Sequence, residues 1–244
     1  AQEMGISSLV KKGRKNDRNL ALALGGLTKG VSPLEMATSY GVLANQGIKV
    51  EPISILKVVD NRGNVLLEND PKQEIVLDKD VAYLVTDMLQ SVLARGPVVW
   101  GTGWRANLNR PAAGKTGTTN DYSDAWFVGY TPNLVTSIWL GEDIPTKMVY
   151  QVTKDNNKSK SVTISSAQTA RMWGEYMRQV TKNQPIKDFQ RPDNIITKKI
   201  CIESGKLPNQ HCPEHTIREE LFIKGTEPTT KGTLHQETAE VKVD

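Results

Sequence analysis

Apolar residues recur at helical spacing in three stretches of the chain, and each stretch begins at a helix-start signal. Ser32-Pro33-Leu34-Glu35 is a capping box with proline at the first helical position. Asp78 can cap a second helix that ends near Gly96-Pro97, and a second capping box, Ser165-Ser166-Ala167-Gln168, opens a third. Helical periodicity places these residues on the core-facing sides of the three helices: Leu34, Ala37, Gly41 and Ala44; Val81, Leu84, Val85, Met88 and Val92; and Ala170, Trp173, Met177 and Val180.

Two strand-like runs lie between the second and third helices. Ala125 to Tyr130 and Leu134 to Leu140 are rich in aromatic and aliphatic residues, and Thr131-Pro132-Asn133 joins them. A third candidate strand, which contains Lys115, precedes them. Because such short turns join only antiparallel neighbours, we predict a three-stranded antiparallel meander.

Turn-forming and polar residues interrupt the apolar pattern elsewhere. Ile53 to Val59 and Val65 to Leu67 flank Asp60-Asn61-Arg62-Gly63, a sequence typical of a hairpin turn. Residues 146–162 (TKMVYQVTKDNNKSKSV) are mostly polar, and we predict a loop there.

The order of helices and antiparallel strands predicts an α/β chain of the α+β type, with an antiparallel sheet flanked by helices. Beyond Pro185 the periodicity is lost, and residues 225–244 lack core-forming side chains. We therefore divide the chain into residues 1–184 and residues 185–244, the second being a partly mobile tail or a small appended module.

Composition narrows the classes of function. The 244 residues are 38% hydrophobic and 24% charged, with a net charge of +4. The 31 basic residues are scattered and opposed by 27 acidic ones, so the charge does not favour a nucleic-acid partner. No apolar run approaches the roughly 20 residues of a membrane span, and no signal peptide opens the chain.

The segment with the clearest chemistry is Lys115-Thr116-Gly117, followed at once by Thr118 and Thr119. The lysine is a point cation with three donors, and the threonine hydroxyls are neutral donors within reach of the same anion. Glycine in a strand allows a second backbone to approach closely. Such a strand is suited to hold a peptide carboxylate while its N–H groups point at a reacting carbonyl. Alone, the tripeptide equally fits a turn beside a surface lysine.

The surrounding residues carry a family resemblance. Lys-Thr-Gly occurs with Ser-x-x-Lys and an S-D-N type element in penicillin-binding proteins and class A β-lactamases. Ala113 to Asn120 (AGKTGTTN) and Asp124 to Tyr130 (DAWFVGY) closely resemble the transpeptidase domain of class A, bifunctional penicillin-binding proteins. Further similar segments, in the family's order, are Leu24-Gly25-Gly26, Gly30 to Ala37 (GVSPLEMA), Tyr40 to Gly47 (YGVLANQG), Cys201, Ser204 to Leu207 (SGKL), Cys212-Pro213 and Phe222 to Pro228 (FIKGTEP).

This resemblance implies a fold, an activity and a location. The fold is the transpeptidase fold shared by penicillin-binding proteins and serine β-lactamases, incomplete in this chain. The activity is cross-linking of peptidoglycan stem peptides through a serine acyl-enzyme, with β-lactams as inhibitors and no cofactor. The site faces the outside of a bacterial cell membrane, and the membrane is contacted only through an anchor outside this chain.

The resemblance also assigns roles to the residues of the motif. Lys115, Thr116, Gly117, Thr118 and Thr119 are the implied substrate-binding residues. Lys115 and the Thr118 N–H, one oxyanion donor, are the implied catalytic groups. By contrast, the strand aromatics Trp126, Phe127 and Tyr130 are expected to pack, and Asp124 to anchor the turn after the motif.

One departure from the family pattern limits what this chain can do alone. The family's Ser-x-x-Lys and Ser-x-Asn elements lie upstream of the GVSPLEMA-like segment, and the residues before Val31 do not contain them in recognisable context. Ser8-Leu9-Val10-Lys11 fits the first pattern but follows a Gly-Ile-Ser sequence that in the family comes after the nucleophile. We therefore expect a partner segment, the N-terminal remainder of the same enzyme, to supply the serine.

The two cysteines leave several alternatives open. Cys201 and Cys212 can form a disulfide or remain free thiols. His211 and His215 beside Cys212 raise a Cys2His2 zinc site as another alternative, although the spacing is not that of a standard zinc finger and the resemblance implies no metal.

Two further functions compete with the transpeptidase. The first is a hydrolase on the same fold, either a D,D-carboxypeptidase or a β-lactamase. The second is a non-catalytic domain that binds penicillin or peptidoglycan.

Overall fold

A computed structural model describes residues 1–96, 100–153 and 159–235. The chain divides into two compact units, Ala1–Gln190 and Arg191–Asp244. The helices are α1 (Pro33–Ala44), α2 (Lys79–Ser91) and α3 (Ser166–Val180). The strands are β1 (Ile48–Val50), β2 (Lys57–Val59), β3 (Val65–Glu68), β4 (Gln73–Ile75), β5 (Ala113–Thr118), β6 (Asp124–Thr131), β7 (Leu134–Gly141), β8 (Val149–Thr153), β9 (Ser159–Thr163), β10 (Ile195–Cys201) and β11 (Ile217–Ile223).

A three-stranded antiparallel sheet organises the first unit. Its order is β5-β6-β7, with Lys115 opposite Val128 and Phe127 opposite Ile138. The short turn between Thr131 and Leu134 forces the antiparallel pairing of β6 and β7. The predicted meander is confirmed.

Successive strand residues point to opposite sides of the sheet. Because apolar side chains of β6 lie on both sides, helices cover both faces. Phe127 and Trp173 of α3 are fully buried against each other on one face, with ring centroids 5.2 Å apart. Tyr130 lies in a second core on the other face with Leu43 of α1 and Ala82 of α2. The motif strand β5 is thereby held at the edge of a rigid layer.

The predicted helix starts are confirmed, and the buried faces predicted for α1 and α2 are correct only in part: Ala44, Val85 and Val92 pack against the cores. Ser32 and Ser165 form capping boxes, and the Asp78 side chain caps α2. The predicted face of α1 is wrong at Leu34, which is 61% exposed, and that of α2 is wrong at Met88, which is 60% exposed. The buried residues are instead Ser39, Val42 and Leu43 in α1 and Asp80, Ala82 and Thr86 in α2. Of the face predicted for α3, Ala170, Trp173 and Met177 are buried and Val180 is 37% exposed.

Of the two regions that form hairpins, the sequence pattern predicted one correctly and the other wrongly. β2 and β3 pair across the turn at 60–63, as predicted. The loop predicted at residues 146–162 is wrong, because β8 and β9 pair in register there from Val149 opposite Thr163. Residues 154–158 of that predicted loop lie outside the described residues.

The second unit contains regular structure in a region whose sequence shows no clear periodicity. β10 and β11 pair antiparallel over seven residues, from Ile195 opposite Ile223 to Cys201 opposite Ile217. The unit begins at Arg191, whereas the sequence pattern put the boundary between residues 184 and 185. Of residues 225–244, which lack core-forming side chains, residues 236–244 lie outside the described residues. Within the described residues, no helix is long and apolar enough to cross a membrane.

Candidate functional site

The Lys-Thr-Gly tripeptide lies on an edge strand whose outer side is open. Within the described residues, β5 pairs only with β6. The Thr119 N–H donates to the Asp124 carbonyl at 3.1 Å, which continues the β5–β6 ladder. Because backbone groups alternate in direction along an antiparallel strand, the N–H and C=O groups of Thr116 and Thr118 point away from β6. This edge can accept an extended peptide as an added strand.

The ammonium of Lys115 lies along the same edge. The Lys115 side chain is exposed, and its Nζ donates to the Thr116 carbonyl at 3.0 Å. Among the described residues, no carboxylate lies within ion-pair distance of it. The cation is therefore available to an anionic ligand that approaches the edge.

Two residues that sequence reasoning missed contact the motif threonines. Thr102 and Thr116 place their Oγ1 atoms 2.9 Å apart. The Ser166 N–H, at the first residue of α3, donates to Thr118 Oγ1 at 3.1 Å. A helix N-terminus carries partial positive charge, so α3 adds to the field of Lys115 at this edge. Because Thr118 Oγ1 accepts from Ser166, its own proton can be donated to a ligand. No local sequence pattern connects these distant residues with the motif.

The structure gives Thr119 a structural role. Thr119 Oγ1 accepts hydrogen bonds from the N–H groups of Ser123 and Asp124, both at 3.0 Å, and lies 3.1 Å from Ser123 Oγ. These contacts close the turn between β5 and β6, so the hydroxyl is occupied by the turn rather than turned to the open edge. This argues against Thr119 as a substrate ligand.

Gly117 also has a packing reason to be glycine. A Cβ at Gly117 would lie 3.2 Å from Cβ of Trp126 on the neighbouring strand, closer than ordinary contact. The smallness of Gly117 therefore serves β5–β6 packing, in addition to any close approach of a substrate.

The residues after the motif are structural, as the sequence suggests. Phe127 and Tyr130 are fully buried, and the Tyr130 hydroxyl lies 2.9 Å from Thr86 Oγ1. Burial raises the pKa of Tyr130 far above its usual value, so the phenol stays neutral. Asp124 accepts a hydrogen bond from Trp139 Nε1 at 2.9 Å, which anchors the turn to β7.

A short segment before the motif positions Thr102. Its neighbours Gly101 and Gly103 donate backbone hydrogen bonds to the Ala94 and Val92 carbonyls at 3.0 and 2.9 Å. Trp104 lies under the Arg95 guanidinium at 4.5 Å from the ring centroid, and Trp100 is 67% exposed. Of the two tryptophans, Trp100 is the one exposed to solvent.

Two Ser-x-x-Lys patterns occur in the chain, and neither has the geometry of a nucleophile with its base. A serine and a lysine three residues apart come together on one face of a helix. Ser8 to Lys11 is not helical, and the Ser8 hydroxyl donates to the Gly30 carbonyl at 3.0 Å. Ser54 to Lys57, which sequence reasoning missed, is extended, and Lys57 pairs with Glu68 at 3.3 Å.

The cysteines of the second unit, Cys201 and Cys212, are not joined to each other in this structure, and the disulfide considered from the sequence stays a prediction. Cys201 is fully buried. Burial raises the pKa of Cys201, but hydrogen bonds from Ser204 and from the backbone of Glu203 outweigh it and lower that pKa to about 6. Cys212 and His235 lie beside Cys201.

An antiparallel sheet between helices, with a Lys-Thr-Gly edge strand, fits the fold shared by penicillin-binding proteins and serine β-lactamases. The chain belongs to the penicillin-binding protein transpeptidase family. Residues 5–161 match the model of the penicillin binding protein transpeptidase domain. Residues 191–237 match the model of the penicillin-binding protein 1A C-terminal domain.

Curated relatives point in the same direction. Penicillin-binding protein 1A of Clostridium botulinum is 37% identical over 222 residues, which are 89% of this chain and 25% of the relative. Penicillin-binding protein 1A of Aquifex aeolicus is 39% identical over 210 residues, 85% of this chain and 26% of the relative. The chain thus spans about a quarter of the length of these relatives.

Solved structures share the fold. The crystal structure of penicillin-binding protein 1A from Haemophilus influenzae matches with a TM-score of 0.74 and 28% identity, covering 95% of this chain and 36% of that one. PonA1 from Mycobacterium tuberculosis in complex with penicillin V matches with a TM-score of 0.62 and 26% identity, covering 78% and 50%. The predicted family and the predicted α+β transpeptidase fold are confirmed.

Proposed function

We propose that this chain supplies the substrate-binding strand of a peptidoglycan D,D-transpeptidase that β-lactams inhibit, within a bifunctional glycosyltransferase and transpeptidase. The observation that carries the proposal is the open edge of β5. There, β6 leaves the outward backbone groups of Thr116 and Thr118 unpaired, and the Lys115 ammonium donates to the Thr116 carbonyl. A stem peptide that ends in D-Ala–D-Ala has an extended backbone for the edge and a terminal carboxylate for the cation.

The proposed reaction is a two-step acyl transfer. A serine oxygen attacks the carbonyl carbon between the two D-alanines, and the serine proton passes to a base. The C–N bond breaks, the terminal D-alanine leaves as a protonated amine, and an acyl-enzyme remains. The amine of a neighbouring stem peptide then attacks the ester, forms the cross-link and releases the serine. A β-lactam acylates the same serine, but its leaving nitrogen stays attached.

The residues of β5 act on the charges that develop during this reaction. The outward N–H of Thr118 donates to the carbonyl oxygen as it becomes an oxyanion, a contact worth about 3 kcal/mol in the transition state. Lys115 attracts the terminal carboxylate, and the hydroxyls of Thr116 and Thr118 donate to it. These contacts bind and orient the substrate.

The serine and its lysine base belong to a segment outside these 244 residues in this proposal, since neither Ser8 nor Ser54 has a base one helical turn away. That segment carries the Ser-x-x-Lys and Ser-x-Asn elements and the membrane anchor. The assembled site faces the outside of the cell membrane, and the isolated chain is inactive.

The test uses the longer protein of the relatives' length that contains this chain. It is incubated with a peptide that ends in D-Ala–D-Ala, with and without an acceptor amine, and free D-alanine and the coupled product are measured. We expect D-alanine release, coupling to the acceptor, and inhibition by one equivalent of penicillin.

Other outcomes identify the competing functions. Release of D-alanine without coupling indicates a carboxypeptidase, and sustained penicillin hydrolysis indicates a β-lactamase. Absence of any covalent penicillin adduct contradicts the proposal and favours a non-catalytic binding domain.

A further inference from the structure

Three side chains with metal-ligating atoms converge in the second unit, away from the motif strand. The ligand atoms of Cys201, Cys212 and His235 all lie within 4.8 Å of one another. In a tetrahedral zinc site with bonds of 2.0–2.3 Å, the ligand atoms lie about 3.3–3.8 Å apart. A small contraction of this group therefore produces zinc geometry.

The backbone holds the three residues in place before any metal binds. Cys201 ends β10, and its N–H donates to the Lys206 carbonyl at 2.9 Å. Asn209, three residues before Cys212, donates from Nδ2 to the carbonyls of Gly232 and His235, both at 2.8 Å. One asparagine thus ties the loop of Cys212 to the segment that carries His235.

The contacts of the sulfur and nitrogen atoms also resemble those of a metal centre. The Asn209 N–H donates to Cys212 Sγ at 3.3 Å, the kind of backbone contact that stabilises a metal-bound thiolate. His235 Nε2 is buried and, within the described part of the chain, has no partner in hydrogen-bond geometry; Glu203 Oε2 lies within ion-pair distance of it. A bound cation would give this ring nitrogen a direct partner.

Glu203 offers a further donor beside His235. Glu203 Oε2 lies 3.3 Å from His235 Nε2. This is the separation of about 3.3 Å expected between a nitrogen and an oxygen bound to one tetrahedral zinc ion. The Glu203 side chain is 48% exposed, and it would have to turn toward the sulfur atoms to share an ion with them.

We propose that Cys201, Cys212 and His235 bind a zinc ion, with Glu203 as the fourth ligand. Two thiolates, an imidazole and a carboxylate favour zinc over magnesium or calcium. The ion would join the end of β10 to the two loops, and so would stabilise a small unit with few core residues.

This ligand set differs from the one considered from the sequence, which used His211 and His215. His211 Nε2 lies 3.0 Å from the Gln210 side chain, and His215 is exposed in a short turn. The third ligand instead comes from a residue 23 positions beyond Cys212, which local spacing did not reveal.

The test is metal analysis of the full chain, purified with its thiols reduced. We expect about one zinc per chain, lost in Cys212→Ser and in His235→Ala and weakened in Glu203→Gln. His211→Ala and His215→Ala are matched controls and should keep the metal. With cobalt in place of zinc, the wild type should show a thiolate-to-cobalt charge-transfer band that Cys212→Ser lacks.

Several outcomes overturn the proposal. They are a reduced wild-type chain that binds no zinc, zinc that survives Cys212→Ser and His235→Ala together, or loss of zinc in the His211 control alone. Since the fully buried Cys201 is a poor site for substitution, the test uses the two partly exposed ligands. Circular dichroism of each variant shows whether the unit has remained folded.

Discussion

The role proposed for Lys115 can be tested by replacing it with methionine, which keeps the length of the side chain and removes the charge. Lys115 is exposed, and its Nζ lies 3.0 Å from the Thr116 carbonyl at the open edge of β5. A ligand carboxylate about 4 Å from Nζ, at an effective dielectric constant near 20, interacts by about 4 kcal/mol. Since about 1.4 kcal/mol corresponds to a tenfold change, Lys115→Met should slow acylation by about a thousandfold.

The assay is the second-order rate of acylation of the longer protein by a fluorescent penicillin. To isolate the carboxylate, the same rates are measured with the penicillin and with its methyl ester, which has no negative charge there. Lys115→Met should slow the reaction of the acid far more than that of the ester. Lys199→Met, which removes another exposed strand lysine, is the matched control and should have no effect.

Two results would refute this reasoning. Equal losses with acid and ester would mean that Lys115 does not act through the carboxylate. Wild-type rates in Lys115→Met, with an unchanged melting temperature, would make Lys115 an ordinary surface lysine.

Three further predictions follow from the geometry of the first unit. Thr118→Pro removes an N–H that the β5–β6 ladder does not use; acylation should slow by about 10²–10³, whereas Thr118→Val, which keeps the N–H, should lose much less. Thr119→Val removes the turn contacts and should lower stability by about 1–3 kcal/mol in denaturant unfolding, with near-normal acylation of the folded protein. Hydrogen bonds from the Ser32 backbone and the Ser7 side chain lower the pKa of Glu35 from 4.5 to about 2. Its ionised form therefore stabilises the fold above about pH 4.5, and this contribution is lost as the pH falls toward 2. Glu35→Gln should lower the melting temperature at pH 7 and leave it unchanged near pH 2.

Features with a local physical cause could be predicted from the sequence. Ser32 and Ser165 cap their helices through contacts within three residues, so each capping box is visible in a short window. The antiparallel pairing of β6 and β7 could be predicted from the short turn at residues 131–133. The motif strand β5 could be predicted from the residues on either side of Lys115-Thr116-Gly117.

Features that depend on distant neighbours could not be predicted. The core-facing side of α1 is set by what packs on it, so Val42 is buried while Leu34 remains exposed. The β8–β9 hairpin has largely exposed strands, and β9 (Ser-Lys-Ser-Val-Thr) has no alternating apolar signal.

The contacts of the candidate sites could not be predicted from the sequence for the same reason. Ser166 reaches Thr118 across 48 residues, and His235 reaches Cys212 across the second unit. Only the fold brings these residues together.

The central claim is that these 244 residues hold the substrate while a serine elsewhere in the enzyme performs the attack. The most direct measurement is to treat the longer protein, and separately this chain, with a β-lactam and to locate the adduct by peptide mass spectrometry. The account predicts an adduct on a serine outside residues 1–244 and no adduct on the isolated chain. A stable adduct on Ser8, Ser54 or any other serine of this chain would contradict it.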